Sequence, residues 1–139
     1  MAQVLLPIDG HGPQAQRALA EAIRIHRREE VPVYLLSVQP LVSGHVAAFF
    51  GPGELARLQH DAGLEELEPA RALLQAAGVW HRLVVRVGRR AETIARTAQE
   101  LGCDRIILGD AGDSAGGWLG TMAEQVRHLL AGTRGCQVI

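Results

Sequence analysis

Val4-Leu5-Leu6-Pro7-Ile8-Asp9-Gly10 is a short apolar run that ends on an acid and a glycine. It reads as a buried strand running into a turn. Pro13 then opens a helix, its fixed φ suiting the first helical position. Ala15, Ala18, Leu19, Ala22 and Ile25 recur at steps of three and four, while Gln14, Gln16, Arg17, Glu21, Arg24 and Arg28 fill the other face. The pattern predicts an amphipathic helix ending near Arg28.

Working outward, the same alternation of strand and helix continues to the last residue. Val31 to Val38 is almost wholly apolar, as expected of a parallel strand covered on both faces, and Gln39-Pro40 stops it. Residues 40 to 53 hold Pro40, Gly44, Gly51, Pro52 and Gly53, which predicts an irregular connection. Glu54 to Ala77 is helical, with Pro69 predicting a kink or a fresh start inside it. Val79 to Val87 alternates as a half-exposed strand near a sheet edge. Ala91, Ile94, Ala95, Ala98 and Leu101 make a helix closed by Gly102, and Arg105 to Leu108 makes a buried strand. A helix from Thr121 to about Leu130 and a short strand from Cys136 to Ile139 end the chain.

Five strands joined by helical crossovers specify a doubly wound α/β fold with a parallel sheet, in one domain spanning residues 1–139. Two strand orders remain open on pattern alone, 3-2-1-4-5 and 2-1-3-4-5. In the first, the order reverses between strands one and four, where ligands of such sheets bind. The carboxyl ends of those strands carry Pro7-Ile8-Asp9-Gly10 and the stretch Gly109 to Gly120, which holds five of the 16 glycines. Gly120-Thr121 stands at a helix start, where backbone amides and the helix dipole favour a phosphate; an ordinary capping role for Thr121 is the equal alternative.

Composition removes many functions. The 139 residues are 47% apolar and 21% charged, with 14 basic residues balancing 15 acidic ones, so no strong field draws the chain to nucleic acid or an anionic membrane. All 14 basic residues are arginine, which excludes a Walker-type phosphate loop, a kinase-type lysine and Schiff-base chemistry. Two Phe, two Trp and one Tyr form no stacking platform for single-stranded bases. No apolar run approaches the roughly 20 residues of a membrane helix, and Met1-Ala2-Gln3-Val4 lacks a signal-peptide pattern. Cys103 and Cys136 fit neither a redox pair nor a zinc spacing. The expectation is a soluble, cytoplasmic protein.

Four segments in order, Val4 through Gly10, Gly88 through Ile94, Leu108-Gly109-Asp110-Ala111-Gly112, and Gly120-Thr121-Met122-Ala123-Glu124-Gln125-Val126, resemble the universal stress protein family. The resemblance implies a five-stranded domain of order 3-2-1-4-5, a homodimer, and binding of ATP or AMP without strong turnover. It implies that Pro7 and Asp9 flank the nucleoside with Ile8 between them, and that the backbone near Val38 meets the adenine. Gly109, Asp110, Gly112, Gly120, Thr121 and Met122 would surround the ribose and phosphates.

The chain departs from the family pattern at the phosphate loop. Gly112 and Gly120 are separated by seven residues where nucleotide-binding members have nine, and Ala111 occupies a slot that is often basic. Asp110 and Asp113 place carboxylates beside the expected phosphates, and no arginine occurs between Arg105 and Arg127. One uncompensated like-charge contact at ~4 Å costs on the order of 4 kcal/mol at an effective dielectric of about 20. The expectation is weak ATP binding that depends on Mg2+ bridging Asp to phosphate, with AMP or no nucleotide as alternatives. A nucleotide-free dimeric interaction module is the rival function.

Other motifs carry less. Gly112-Asp113-Ser114-Ala115-Gly116 matches a nucleophile elbow, but Ser114 sits past the strand-to-helix turn, and only Glu124 and His128 follow as partners, one turn apart on one helix. A serine hydrolase is the distant alternative. Asp9 and Asp110 lack the acidic cluster and lysine of a phosphoacceptor site. The six histidines form no metal pair, and His11 alone sits beside the expected crevice. Trp118 reads as a packing anchor. The apolar edge at Cys136 to Ile139 predicts homodimerisation through the last strand, with no nucleic-acid or membrane partner.

Overall fold

In the computed structural model, which describes residues 2–109, 120–133 and 135–139, the opening run forms strand β1 (Val4–Pro7), buried along its whole length. Its side chains alternate between two cores because strand residues point to opposite faces in turn. Val4 and Leu6, with Ile8 just beyond, enter one core; Leu5 enters the other. Both faces are apolar because both are covered by helices, which places this strand at the centre of the sheet.

The chain then runs through helix α1 (Pro13–Glu29), strand β2 (Val33–Gln39), the short helix α2 (Gly44–Ala47) and the long helix α3 (Glu54–Ala76). Strand β3 (His81–Val87), helix α4 (Arg90–Leu101), strand β4 (Arg105–Ile106), helix α5 (Met122–Leu129) and strand β5 (Gln137–Val138) complete it. The strand order is β3-β2-β1-β4-β5, every described pairing being parallel. This order decides between the two left open by the pattern, and β3 lies at an edge as its alternation predicts.

The first core packs Val4, Leu6, Val33 and Leu35 against Leu19, Ala22 and Ile25 of α1 and Leu67, Ala70 and Leu74 of α3. The second packs Leu5, Leu36, Ile106 and Leu108 against Ile94 and Ala98 of α4 and Ala123 and Val126 of α5. Each fully buried leucine or isoleucine contributes about 1.5–3 kcal/mol relative to exposure. The pairing of β4 extends past its two ladder residues: the Ile107 amide donates to the Leu5 carbonyl at 2.9 Å, and the Leu108 amide to the Ile139 carbonyl at 3.0 Å.

Two local readings change. The segment from 40 to 53 is not wholly irregular, since Ser43 caps α2 by accepting the Val46 amide at 3.2 Å. Helix α3 makes no fresh start at Pro69 but continues through it. The proline removes the helical partner of the Glu65 carbonyl, yet Leu67, Ala70 and Leu74 around it are held against the sheet, and burial outweighs the lost bond. Gly63 allows α3 to approach β3: a Cβ there would lie within 2.8 Å of both Val85 methyl carbons. Among the described residues no helix is long and apolar enough to cross a membrane.

Candidate functional site

The strand order reverses between β1 and β4, and the chain turns in opposite directions from their carboxyl ends. The turn after β1 carries Asp9, which is exposed, while Ile8 donates its amide to the Leu36 carbonyl at 2.8 Å and so holds the turn against β2. The end of β4 is tied to α1 instead. The Gln14 side-chain amide donates to the Leu108 carbonyl at 3.1 Å, and the Arg17 Nε to the Gly109 carbonyl at 3.2 Å.

Gly109 is required at that junction. Its φ is +69°, and a Cβ would run into the Gln14 carbonyl oxygen and lie 3.1 Å from the Ala18 Cβ. Only glycine combines the left-handed backbone with so close an approach to a helix.

Between these two ends lies a crevice with about 120 Å³ of interior space. Pro7 and Asp9 line it from the β1 side, Leu108 and Met122 from the β4 and α5 side, and Gln14 and Ala15 from α1. The turn around Asp9 and the chain at Leu108 and Met122 therefore meet side by side. Arg90, the first residue of α4, completes the lining. Its guanidinium lies 3.9 Å from the Asp9 carboxylate; the side chains are 26% and 72% exposed respectively. At that distance the two form a loose ion pair without a hydrogen bond.

The start of α5 is closed by its own residues. Thr121 is the N-cap, its hydroxyl accepting the Glu124 amide at 3.1 Å, while the Glu124 carboxylate accepts the Thr121 amide at 3.2 Å. This reciprocal capping box satisfies amides that would otherwise meet an anion. Gly120 precedes it with φ +83°, and its carbonyl accepts the Gln125 side-chain amide at 3.2 Å.

The residues expected from sequence divide into three groups. Pro7, Asp9 and Met122 line the crevice, Gly109 and Thr121 adjoin its lining residues in the chain, and Gly120 is one residue further away. Ile8 and Val38 do not line it: the Ile8 side chain is buried in the α1–α3 core, and Val38 is half-buried against the other. Asp110 and Gly112 lie outside the described residues, as do Ala111, Asp113, Ser114 and Trp118. His11 lines a separate, mainly apolar hollow between α1 and α3, with Leu19, Ala70 and Leu73. Among the described residues no group of three or more His, Cys, Asp or Glu is placed to hold a metal.

Arg90 and Gln14 were not anticipated as site residues. Arg90 is far in sequence from both glycine-bearing turns; it lies inside the Gly88 through Ile94 segment, which on its own gives no sign that this arginine faces the crevice. The capping box has a signal, Thr121-Met122-Ala123-Glu124, which fits the spacing of a threonine and an acid three residues later. Of the potential nucleophiles, Cys103 is buried and its thiol is pushed up to about 12 by that burial, helped by Cys136 and Asp104; burial also raises Cys136. Neither thiol is primed for chemistry at neutral pH. The Glu124 carboxylate is engaged with its own helix start and His128 follows on the same helix.

The fold recurs in solved structures. A universal stress protein from Lactobacillus plantarum superposes with a TM-score of 0.69 at 18% identity, covering 99% of this chain and 95% of its own. The universal stress protein from Archaeoglobus fulgidus in complex with dAMP gives 0.65 at 20% identity, covering 100% and 96%. A family protein from Arabidopsis thaliana with AMP bound gives 0.64 at 16% identity, covering 100% and 90%. At these identities the likeness establishes the fold. No curated protein sequence matches the chain. Its sequence does match the profile of the universal stress protein family over residues 1–130, and with the strand order and the four segments in register the chain belongs to that family.

Proposed function

We propose that the protein is a cytoplasmic regulatory module that binds an adenine nucleotide in the crevice between β1 and β4 and signals by changing its affinity for a partner rather than by turnover. The observation that carries this reading is the convergence of Pro7 and Asp9 with Leu108 and Met122 at the reversal of strand order. Binding of AMP and dAMP by structural neighbours supports it.

The residues present fit a mononucleotide. The exposed Asp9 carboxylate is an acceptor for ribose hydroxyls or an exocyclic amine. Pro7, Leu108 and Met122 offer apolar surface to a base, and Arg90 supplies a positive charge. ATP binds more weakly than AMP in this reading and requires Mg2+, because the sequence between Gly109 and Gly120 carries Asp110 and Asp113 and no basic residue to offset the added phosphates. A second copy of the chain pairs along β5. That strand is short, and its Val138 carbonyl already accepts an arginine hydrogen bond from Arg127 at 3.4 Å, so the dimer depends on side-chain packing as well as backbone pairing.

One observation favours the nucleotide-free alternative. The Thr121–Glu124 box sets a carboxylate at the helix start where a phosphate would gain most from the dipole. Mass spectrometry of small molecules released from freshly purified protein separates the two readings. Stoichiometric adenylate supports the first, and its absence, together with no calorimetric response to millimolar AMP, supports the second.

A further inference from the structure

We infer that Arg90 binds the phosphate of the nucleotide, so that the anionic group is held from the β3–α4 turn rather than at the start of α5. The inference rests on the reading of the crevice as an adenine-nucleotide site. Among its described lining residues Arg90 is the one cation, and Asp9 is its one described ionic partner. The pair is loose at 3.9 Å, and Asp9 is mostly solvated, so an incoming phosphate with two oxygens in reach of the guanidinium fork makes the stronger contact.

Helix stability does not account for this arginine. Arg90 is the first residue of α4 and follows Arg89, an N-cap without a side-chain cap hydrogen bond. Cations at the positive end of a helix dipole oppose it; Glu92 in the first turn lies 3.9 Å from Arg89 and offsets that one, which leaves Arg90 with only its loose pair to Asp9. At the competing position the reverse holds. Thr121 and Glu124 satisfy each other, and the Glu124 carboxylate repels a phosphate from the Thr121 amide it already accepts. Arg17 donates its Nε to the Gly109 carbonyl, so it holds backbone at the crevice rim.

The test compares AMP, adenosine and inorganic phosphate binding by calorimetry at low salt for the wild type, Arg90→Gln and Arg90→Lys, with thermal melts to verify folding. The wild type should prefer AMP to adenosine by about tenfold or more, a preference that weakens with added salt. Arg90→Gln should bind adenosine as the wild type does but lose the preference to within about threefold, and Arg90→Lys should restore part of it. If Arg90→Gln keeps the full preference for AMP, the phosphate is held elsewhere and the inference fails while the nucleotide site stands. If the wild type binds neither AMP nor adenosine, the site reading fails and takes the inference with it.

Discussion

Thr121 and Glu124 cap each other across the first turn of α5, the hydroxyl accepting one amide and the carboxylate the other. The Thr121 hydroxyl oxygen thus serves the helix start as an acceptor, a role in stability distinct from donation to a ligand. Thr121→Ala should cost about 1 kcal/mol and lower the melting temperature by about 3 °C. AMP affinity measured on the folded variant should change by less than about twofold.

Gly63 and Val85 form a coupled pair between α3 and β3. Gly63→Ala gains helix propensity of about 1 kcal/mol but drives a methyl into Val85 at a cost at the upper end of the usual ~1–3 kcal/mol, for a net loss of about 2 kcal/mol. Trimming the partner should reverse the sign of that change. In Val85→Ala, adding Gly63→Ala should stabilise, and a double-mutant cycle by urea titration should show a coupling above about 1 kcal/mol.

Cys103 reports on the second core. Its thiol is held at about 12 in the folded chain by burial, against an ordinary value near 9. Because the unfolded thiol ionises more readily, the fold loses stability as pH rises through the unfolded value toward the folded one. At pH 8, iodoacetamide should label Cys103 at least about 100-fold more slowly in the native protein than in guanidinium, as read by peptide mass spectrometry.

Glu29 and Arg105 join the end of α1 to β4 through hydrogen bonds of 2.6 and 3.0 Å. The Arg105 hydrogen bonds hold the Glu29 carboxyl below the usual carboxylate range. A depressed folded value contributes stability above the unfolded one, and that contribution is lost as pH falls through the folded value. Stability of the wild type should therefore drop more steeply below pH ~4.3 than that of Glu29→Gln. Denaturant titrations from pH 6 to pH 3 measure the difference.

The fold was legible because its signals are local and agree with one another. Val4 through Ile8 and Val31 through Val38 are apolar on both faces, and α1 carries one apolar stripe, so strands covered on both sides follow from the pattern. Helix α2 was hidden because four residues between prolines and glycines hold no periodicity to read. Pro69 starts no new helix for the opposite reason: its local preference is strong, but tertiary burial of Leu67, Ala70 and Leu74 carries the helix through it.

The site was legible in part. Asp9 and Gly109 announce themselves at turns after strands, and the reversal of order brings their segments together. Arg90 and Gln14 reach the crevice from helix starts whose positions depend on how α1 and α4 pack on the sheet, which no run of residues encodes. The Ile8 side chain enters the α1–α3 core while Pro7 and Asp9 line the crevice, because a one-residue step along a strand turns a side chain to the opposite face.

The central claim is that an adenine nucleotide occupies the crevice between Asp9 and Met122, and backbone chemical-shift mapping of the 15N-labelled protein titrated with AMP tests it most directly. The account predicts shifts centred on Asp9, Gly10, Arg90, Leu108, Gly109 and Gly120 to Met122. Shifts centred instead on His11 and Leu73 in the α1–α3 hollow, or none at millimolar AMP, would contradict it.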